Sequence, residues 1–359
     1  MASSAVVLPQ AEGPKRDRLI DGYRGVAVLC VVSAHLLSYR IDFSRLPGAF
    51  QIAKLAAALA EMGVQLFFVI SGYIITTLLV KEENRTGRIS IPAFYIRRFF
   101  RILPPLLVYF GALFVSRAAG VIHFDPLTVR NSALFTCNTG LTRCQWWVAH
   151  TWSLAVEEQF YLAWPLLLVL LPPSRRVIFL IALLALLLGT FLLVRPHWHN
   201  NWISFSCIAA GALYALSPKV RDWVSRRASY SAWVAAGALF ALGPALFLKP
   251  LLVLTPLLIV FVLFAARDLP LVSRLLQSGP LQAVGLCSYS LYLWQQLFLG
   301  RARLYAELPP LAALPVFVAL SFFLIERPFA RLGHRLSAMV QAPRRPSPPG
   351  EPYEATNRA

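Results

Sequence analysis

Apolar residues come in runs along almost the whole chain, each near the 20 or so residues that an α-helix needs to cross roughly 30 Å of hydrocarbon. Ten such runs stand out, at about 19–38, 56–80, 102–119, 148–171, 177–194, 203–217, 231–248, 250–266, 281–300 and 308–325. None shows the in-and-out alternation, about ten residues long, of a barrel strand, and a segment in lipid must satisfy its own backbone hydrogen bonds. The pattern predicts an all-α polytopic membrane protein of about ten transmembrane helices in one bundle. No composition break or internal repeat divides it, so a single membrane domain is expected over 15–337. The flanking stretches have little to bury: 1–14 is expected to be a disordered N-terminal tail, and 338–359, rich in Pro and Arg, a disordered cytoplasmic one.

Composition agrees. The 359 residues are 58% hydrophobic and 14% charged, against roughly a quarter charged in soluble domains. A net charge of +18 would point to nucleic acid in a soluble protein. Here helix ends facing the cytoplasm and anionic lipid headgroups account for it, and no nucleic-acid partner is expected. An even number of spans puts both termini on one side. If that side is the cytoplasm, 23 of the 34 Lys and Arg lie in cytoplasmic segments and 10 in outer ones, as the positive-inside rule requires. The expectation is a multi-pass protein of the cell membrane, inner or plasma, with both termini cytoplasmic. No cleavable signal peptide is apparent, because the first 18 residues are polar and the first apolar run carries Asp21 and Arg24. Cys30, Cys207 and Cys287 read as small packing residues. Cys137 and Cys144 share the loop 120–147, placed outside, where a disulfide and two free thiols both stand open.

Chemistry is sought where polarity is costly. An ionisable group at membrane depth must face the bundle interior and find a partner. In the first run Arg24 and His35 are eleven residues apart, and eleven steps of about 100° return to nearly the same helix face. Their axial separation of about 16 Å makes them a stripe through the bilayer, with Asp21 placed to pair with Arg24. Glu157 and Glu158 lie near mid-depth of the fourth run. Being adjacent they diverge by about 100°, so one at most faces a given cavity, and a carboxylate there would orient the imidazole and raise its basicity. A buried Glu–Arg lock between helices is the structural alternative. Before the third run, IPAFYIRRFFR reads as an amphipathic helix carrying Arg97, Arg98 and Arg101, with Pro104 and Pro105 marking a break or kink. Ser71 and Gly72 allow close helix packing or close substrate approach. Ser288, Tyr289, Tyr292 and Gln295 fall within two turns of the ninth run, where Tyr289, Tyr292 and Gln296 share roughly one face. His197 and His199, without a third ligand, make a weak metal site, and no metal is expected.

Taken together these residues resemble the acyltransferase 3 family of integral membrane acyltransferases over about 17–330. The likeness rests on Arg24 and His35 with ten residues between them, on FFVISGYII, on Arg98-x-x-Arg101 followed by ILP, on TWSLAVEEQFYL, on SYSLYLW and on IERPF. The resemblance implies a ten-helix domain that takes an acyl group, commonly acetyl from acetyl-CoA or another acyl-CoA, and places it on a hydroxyl of a sugar or other acceptor, often outside. On that reading the donor's anionic nucleotide lies near Arg97, Arg98 and Arg101. His35 acts as general base or transient acyl acceptor, with Arg24 and Glu157 or Glu158 beside it, and Ser71, Tyr73, Trp152, Ser153, Tyr289, Tyr292 and Gln295 line the substrate path. The acceptor is a carbohydrate, a lipid-linked glycan or a small molecule.

Two departures stand out. Many members follow SYSLYLW with a His where this chain has Gln295, so a second titrating group is missing there. Some members carry a fused extracytoplasmic hydrolase-like domain. Here transfer is expected to be completed by the membrane domain or by a separate extracytoplasmic partner. The rival function class is a multi-helix transporter or flippase for a glycan or lipid intermediate. The arginine cluster and the single His in line with Arg24 favour the enzyme.

Overall fold

Lipid leaves a spanning segment no partner but itself, and the described residues are accordingly helical, with no strand among them and one isolated bridge between Ile122 and Tyr305. The computed structural model describes residues 17–40, 49–140, 142–193, 201–246, 249–300, 305 and 310–341. Helix α1 (Arg18–His35) starts on Asp17, whose carboxylate accepts the Ile20 amide at 3.4 Å, and runs on through a π turn over Leu36–Arg40. α2 (Ala49–Thr86) and α3 (Ile91–Ala118) are the longest elements. The loop after α3 folds into two short helices, α4 (Pro126–Ala133) and α5 (Trp146–Ala149), before α6 (Thr151–Leu170). There follow α7 (Pro173–Leu193), α8 (Asn201–Leu216), α9 (Pro218–Arg227), α10 (Tyr230–Leu246) and α11 (Lys249–Ala265). The last part holds α12 (Pro270–Leu276), α13 (Gly279–Leu286), α14 (Ser288–Phe298), α15 (Ala313–Leu320), a π segment over Ser321–Glu326, and α16 (Arg327–Gln341).

Seven helices are long and apolar enough to cross a membrane, eight if the pair α8 and α9, bent by 95°, is one span. Ten is not reached on length and composition. The expected span 231–248 is α10, 17 residues long, and the expected span 281–300 is two helices broken at Cys287. Two other expectations change. Of the break or kink expected at Pro104 and Pro105, the break is absent and α3 continues through both, because ending a helix in lipid frees more backbone groups than the two prolines remove. The last helix runs to Gln341, past the expected tail start at 338, since Gln341 donates to Glu82 at 2.8 Å. The tails themselves, 1–16 and 342–359, and His197 with His199 lie outside the described residues.

Small residues set the closest helix contacts, as expected where lipid supplies no hydrophobic drive between helices. Gly72 of α2 and Gly211 of α8 face each other's backbones: a Cβ on Gly72 would overlap the Ile208 carbonyl, and one on Gly211 the Val69 carbonyl. Gly72 therefore packs helices. Charged pairs tie the helix ends that lie on the side of Asp17. Arg176 holds Glu83 through two bonds, Arg97 holds Glu82 at 3.0 Å, and Arg267 holds Asp17 at 2.6 Å. At the opposite end the loop 119–146 carries the disulfide Cys137–Cys144, so of the two open alternatives the bridge is the one found. The loop is fastened to α6 by Ser132 with Thr151 at 2.8 Å and by Asn138 and Gln159, which bond each other twice.

Candidate functional site

One face of α2 (Phe67, Ser71, Ile74, Leu78) forms the apolar wall of a cavity of about 250 Å³ whose other walls come from α1, α3, α6 and α14. Those other walls carry most of the polar lining. α1 contributes Arg24, α3 contributes Arg98 and Arg101, α6 contributes Ser153, Glu157 and Tyr161, and α14 contributes Ser288, Tyr289 and Tyr292. On a helix three or four residues bring a side chain back to the same face, which is why 98 and 101, 153 and 157, and 289 and 292 arrive together.

The polar residues are not equally committed. Glu157 accepts from Ser71 at 2.7 Å and from Tyr161 at 3.2 Å. Tyr289 donates to the Ile102 carbonyl at 2.8 Å, and the Tyr292 hydroxyl lies 2.7 Å from Ser153 and 2.8 Å from the His150 carbonyl. Arg98 sits over the rings of Tyr161 (5.2 Å) and Phe94 (5.6 Å), and its Nε finds no hydrogen-bond partner among the described residues. Among those residues Arg24, Arg98 and Arg101 make no ion pair within 4 Å. Glu157 lies within electrostatic range of Arg24 and Arg98 but is spent on hydroxyl donors. The cavity thus holds three guanidinium groups without a directly bonded counter-charge.

His35 lies beyond this lining, at the end of α1 where the π turn begins, a geometry often found at functional sites. Its Nδ1 is 2.7 Å from Gln295 Oε1, and its ring is flanked by Tyr39 (5.8 Å between ring centres) and Trp146 (5.7 Å). Gln295 follows Tyr292 by three residues on α14, so one face of that helix leads from the arginine end of the cavity to the imidazole. A carboxylate partner for His35 was the expectation, and the structure puts the Gln295 amide there instead. The reason is depth: Glu157 lies seven residues, about 10 Å, further along α6 than His150, and only His150 reaches the level of His35, within electrostatic range of it.

The remaining expected residues separate. Glu157 lines the cavity and Glu158 does not. Arg97 turns to Glu82. Tyr73, two residues from Ser71 and so about 200° around α2, packs on Phe264 (4.8 Å) and accepts from Arg267 at 3.2 Å. Trp152 lies against Phe68 (6.0 Å). Three residues escaped the sequence. Tyr161, one turn after Glu157, was hidden among other aromatics. Trp146 lies in a loop whose path the sequence did not disclose. His150 sits at the edge of an apolar run, buried between Tyr109 and Tyr292 with neither ring nitrogen bonded among the described residues. Among those residues no three His, Cys, Asp or Glu side chains gather as a metal site.

Comparison with known proteins bears on the same stretch. A family model described as an acyltransferase domain matches residues 17–325. The peptidoglycan O-acetyltransferase OatA of Listeria monocytogenes is 26% identical over 88% of this chain and 56% of its own length. The putative peptidoglycan O-acetyltransferase YrhL of Bacillus subtilis is 25% identical over 77% of this chain and 47% of its own length. A putative O-acetyltransferase of Staphylococcus aureus is 34% identical over 42% of this chain and 24% of its own. The chain spans about half the length of the first and second of these relatives. No solved structure matches it.

Proposed function

The chain belongs to the acyltransferase 3 family, and from that premise we propose that it moves an acyl group, acetyl first, from acyl-CoA to a carbohydrate hydroxyl across the membrane. The observation that carries the donor is the cavity of three arginines. Guanidinium groups at membrane depth are costly without an anion, and their planar forks match phosphate oxygens in pairs. Acyl-CoA brings phosphates at one end and a long, uncharged arm ending in the thioester. The arginine end faces the cytoplasm on this reading, with the arm directed along α14 past Tyr292 towards His35.

At the far end the His35 imidazole takes the acceptor hydroxyl's proton as that oxygen attacks the thioester carbonyl. A C–O bond forms, the C–S bond breaks, and the proton is returned to the departing thiolate, giving ester and free thiol. The route through an acyl-imidazole uses the same side chain in two steps. The names of two relatives, which specify peptidoglycan, support a glycan hydroxyl as the acceptor. For the purified protein in detergent, His35→Ala is expected to bind acetyl-CoA within about two-fold of wild type, since His35 lies outside the cavity, while acetyl transfer to peptidoglycan fragments is abolished. Transfer at the wild-type rate by that variant would remove His35 from the chemistry.

A further inference from the structure

A histidine that serves as a base must keep one particular nitrogen free, and two buried glutamines decide which. Gln296 Nε2 donates to the Trp146 backbone carbonyl at 2.7 Å, and that oxygen can only accept. The amide of Gln296 is thereby held one way round, with its Oε1 towards Gln295. Gln295 Nε2 donates to that oxygen at 3.2 Å, which turns Gln295 Oε1 to His35. The 2.7 Å contact between Gln295 Oε1 and His35 Nδ1 then requires the proton to be on Nδ1. Both glutamines are fully buried, at 0% and 1% exposure, so no water is at hand to satisfy an inverted amide. The indole N–H of Trp146 donates back to the Gln296 backbone carbonyl at 3.0 Å, fixing α5 to α14 at this point.

We infer that Gln295 and Gln296 are positioning residues that lock the neutral His35 in its Nδ1–H tautomer, leaving Nε2 as the bare, reactive nitrogen. This rests on His35 being the base and deepens that reading. It also accounts for an amide at the position after SYSLYLW. A second imidazole there would act as donor or acceptor according to its own tautomer, whereas an amide anchored to a backbone carbonyl has one orientation. Among the described residues the imidazole is also neighboured by Tyr39 from the π turn, Trp146 from α5 and His150 at the start of α6. The contact of 2.7 Å from Gln295 is the one that fixes Nδ1.

The test is ¹⁵N magnetic resonance of the full chain in detergent, labelled at histidine, with the His35 signals identified by their loss in His35→Ala. Wild-type His35 above its titration range should show a protonated Nδ1 and an unprotonated Nε2. Gln296→Leu frees the Gln295 amide to invert and should give a mixture of tautomers. Gln295→Leu should lower kcat for acetyl transfer from acetyl-CoA to peptidoglycan fragments by about 10- to 100-fold, as the loss of an orienting partner typically does, while KM for acetyl-CoA stays within about two-fold. A wild-type spectrum with the proton on Nε2 would overturn the inference alone, and it needs no variant to fold. Wild-type kcat in Gln295→Leu, with His35→Ala inactive, would do the same. Full activity in His35→Ala would overturn both this and the base assignment.

Discussion

Arg98 and Arg101 differ from Arg97 in what their loss removes. Each of the former puts a charge into the cavity that no neighbouring carboxylate balances by direct contact, whereas Arg97 is spent on Glu82. Charge-assisted hydrogen bonds contribute about 1.5–3 kcal/mol each, so Arg98→Ala and Arg101→Ala are expected to weaken acetyl-CoA binding by roughly 10- to 100-fold in calorimetry. Arg97→Ala is expected to leave affinity within about two-fold and to lower thermal stability instead. Wild-type affinity in both cavity variants would move the donor elsewhere. At this scale the sequence was most legible where polarity interrupted an apolar run: Arg24, Ser71, Glu157, Tyr289 and Tyr292 all line the cavity. Membership of a motif was a poorer guide than helix phase. Tyr73 and Trp152 sit beside cavity residues in sequence and point to other faces, because adjacent residues diverge by about 100°. His150 was missed because a polar residue at the end of an apolar run looks like a boundary.

The cavity wall formed by α2 is held in register by its contact with α8. Gly72 makes that contact and neighbours Ser71, which holds Glu157. Gly72→Leu is expected to force the helices apart, because its side chain meets the Ile208 backbone rather than a movable side chain. Overpacking of this kind typically costs about 1–3 kcal/mol, occasionally more, and a lowered melting temperature in detergent, accompanied by loss of transfer, is the expected reading. Gly237→Leu on α10, where no neighbour approaches, should change neither. Periodicity located the elements well and their interruptions badly. In GLCSYSLYLW only Gly285 weakens the helix, too little on its own to mark Cys287 as the break between α13 and α14. Conversely, Pro104 and Pro105 are strong breakers in water and are carried through by α3, where lipid penalises an open backbone more.

For the molecule as a whole, the polar face of α14 joins an arginine end to an imidazole end, and the proposed function assigns those ends to opposite sides of the membrane. Protein reconstituted into sealed vesicles and sorted by orientation should transfer acetyl only when acetyl-CoA is supplied on the side of Asp17 and Glu82, the side of the proposed donor site. Equal rates from both sides would contradict the directed path. All-α architecture and multiple spans followed from hydropathy alone, while the count did not, because short and broken helices blur what one span is. The paired glutamines carry one more consequence for the whole. An amide, unlike an imidazole, a carboxyl group or water, does not readily pass a proton along a chain, so the line from His35 through Gln295 and Gln296 to the Trp146 carbonyl is insulating. The proton taken from the acceptor has no exit by that line, and the proposed route returns it to the departing thiol. Each turnover would then be electrically silent at this site, so acyl groups cross without the protein drawing on, or dissipating, the ion gradient of the membrane that houses it.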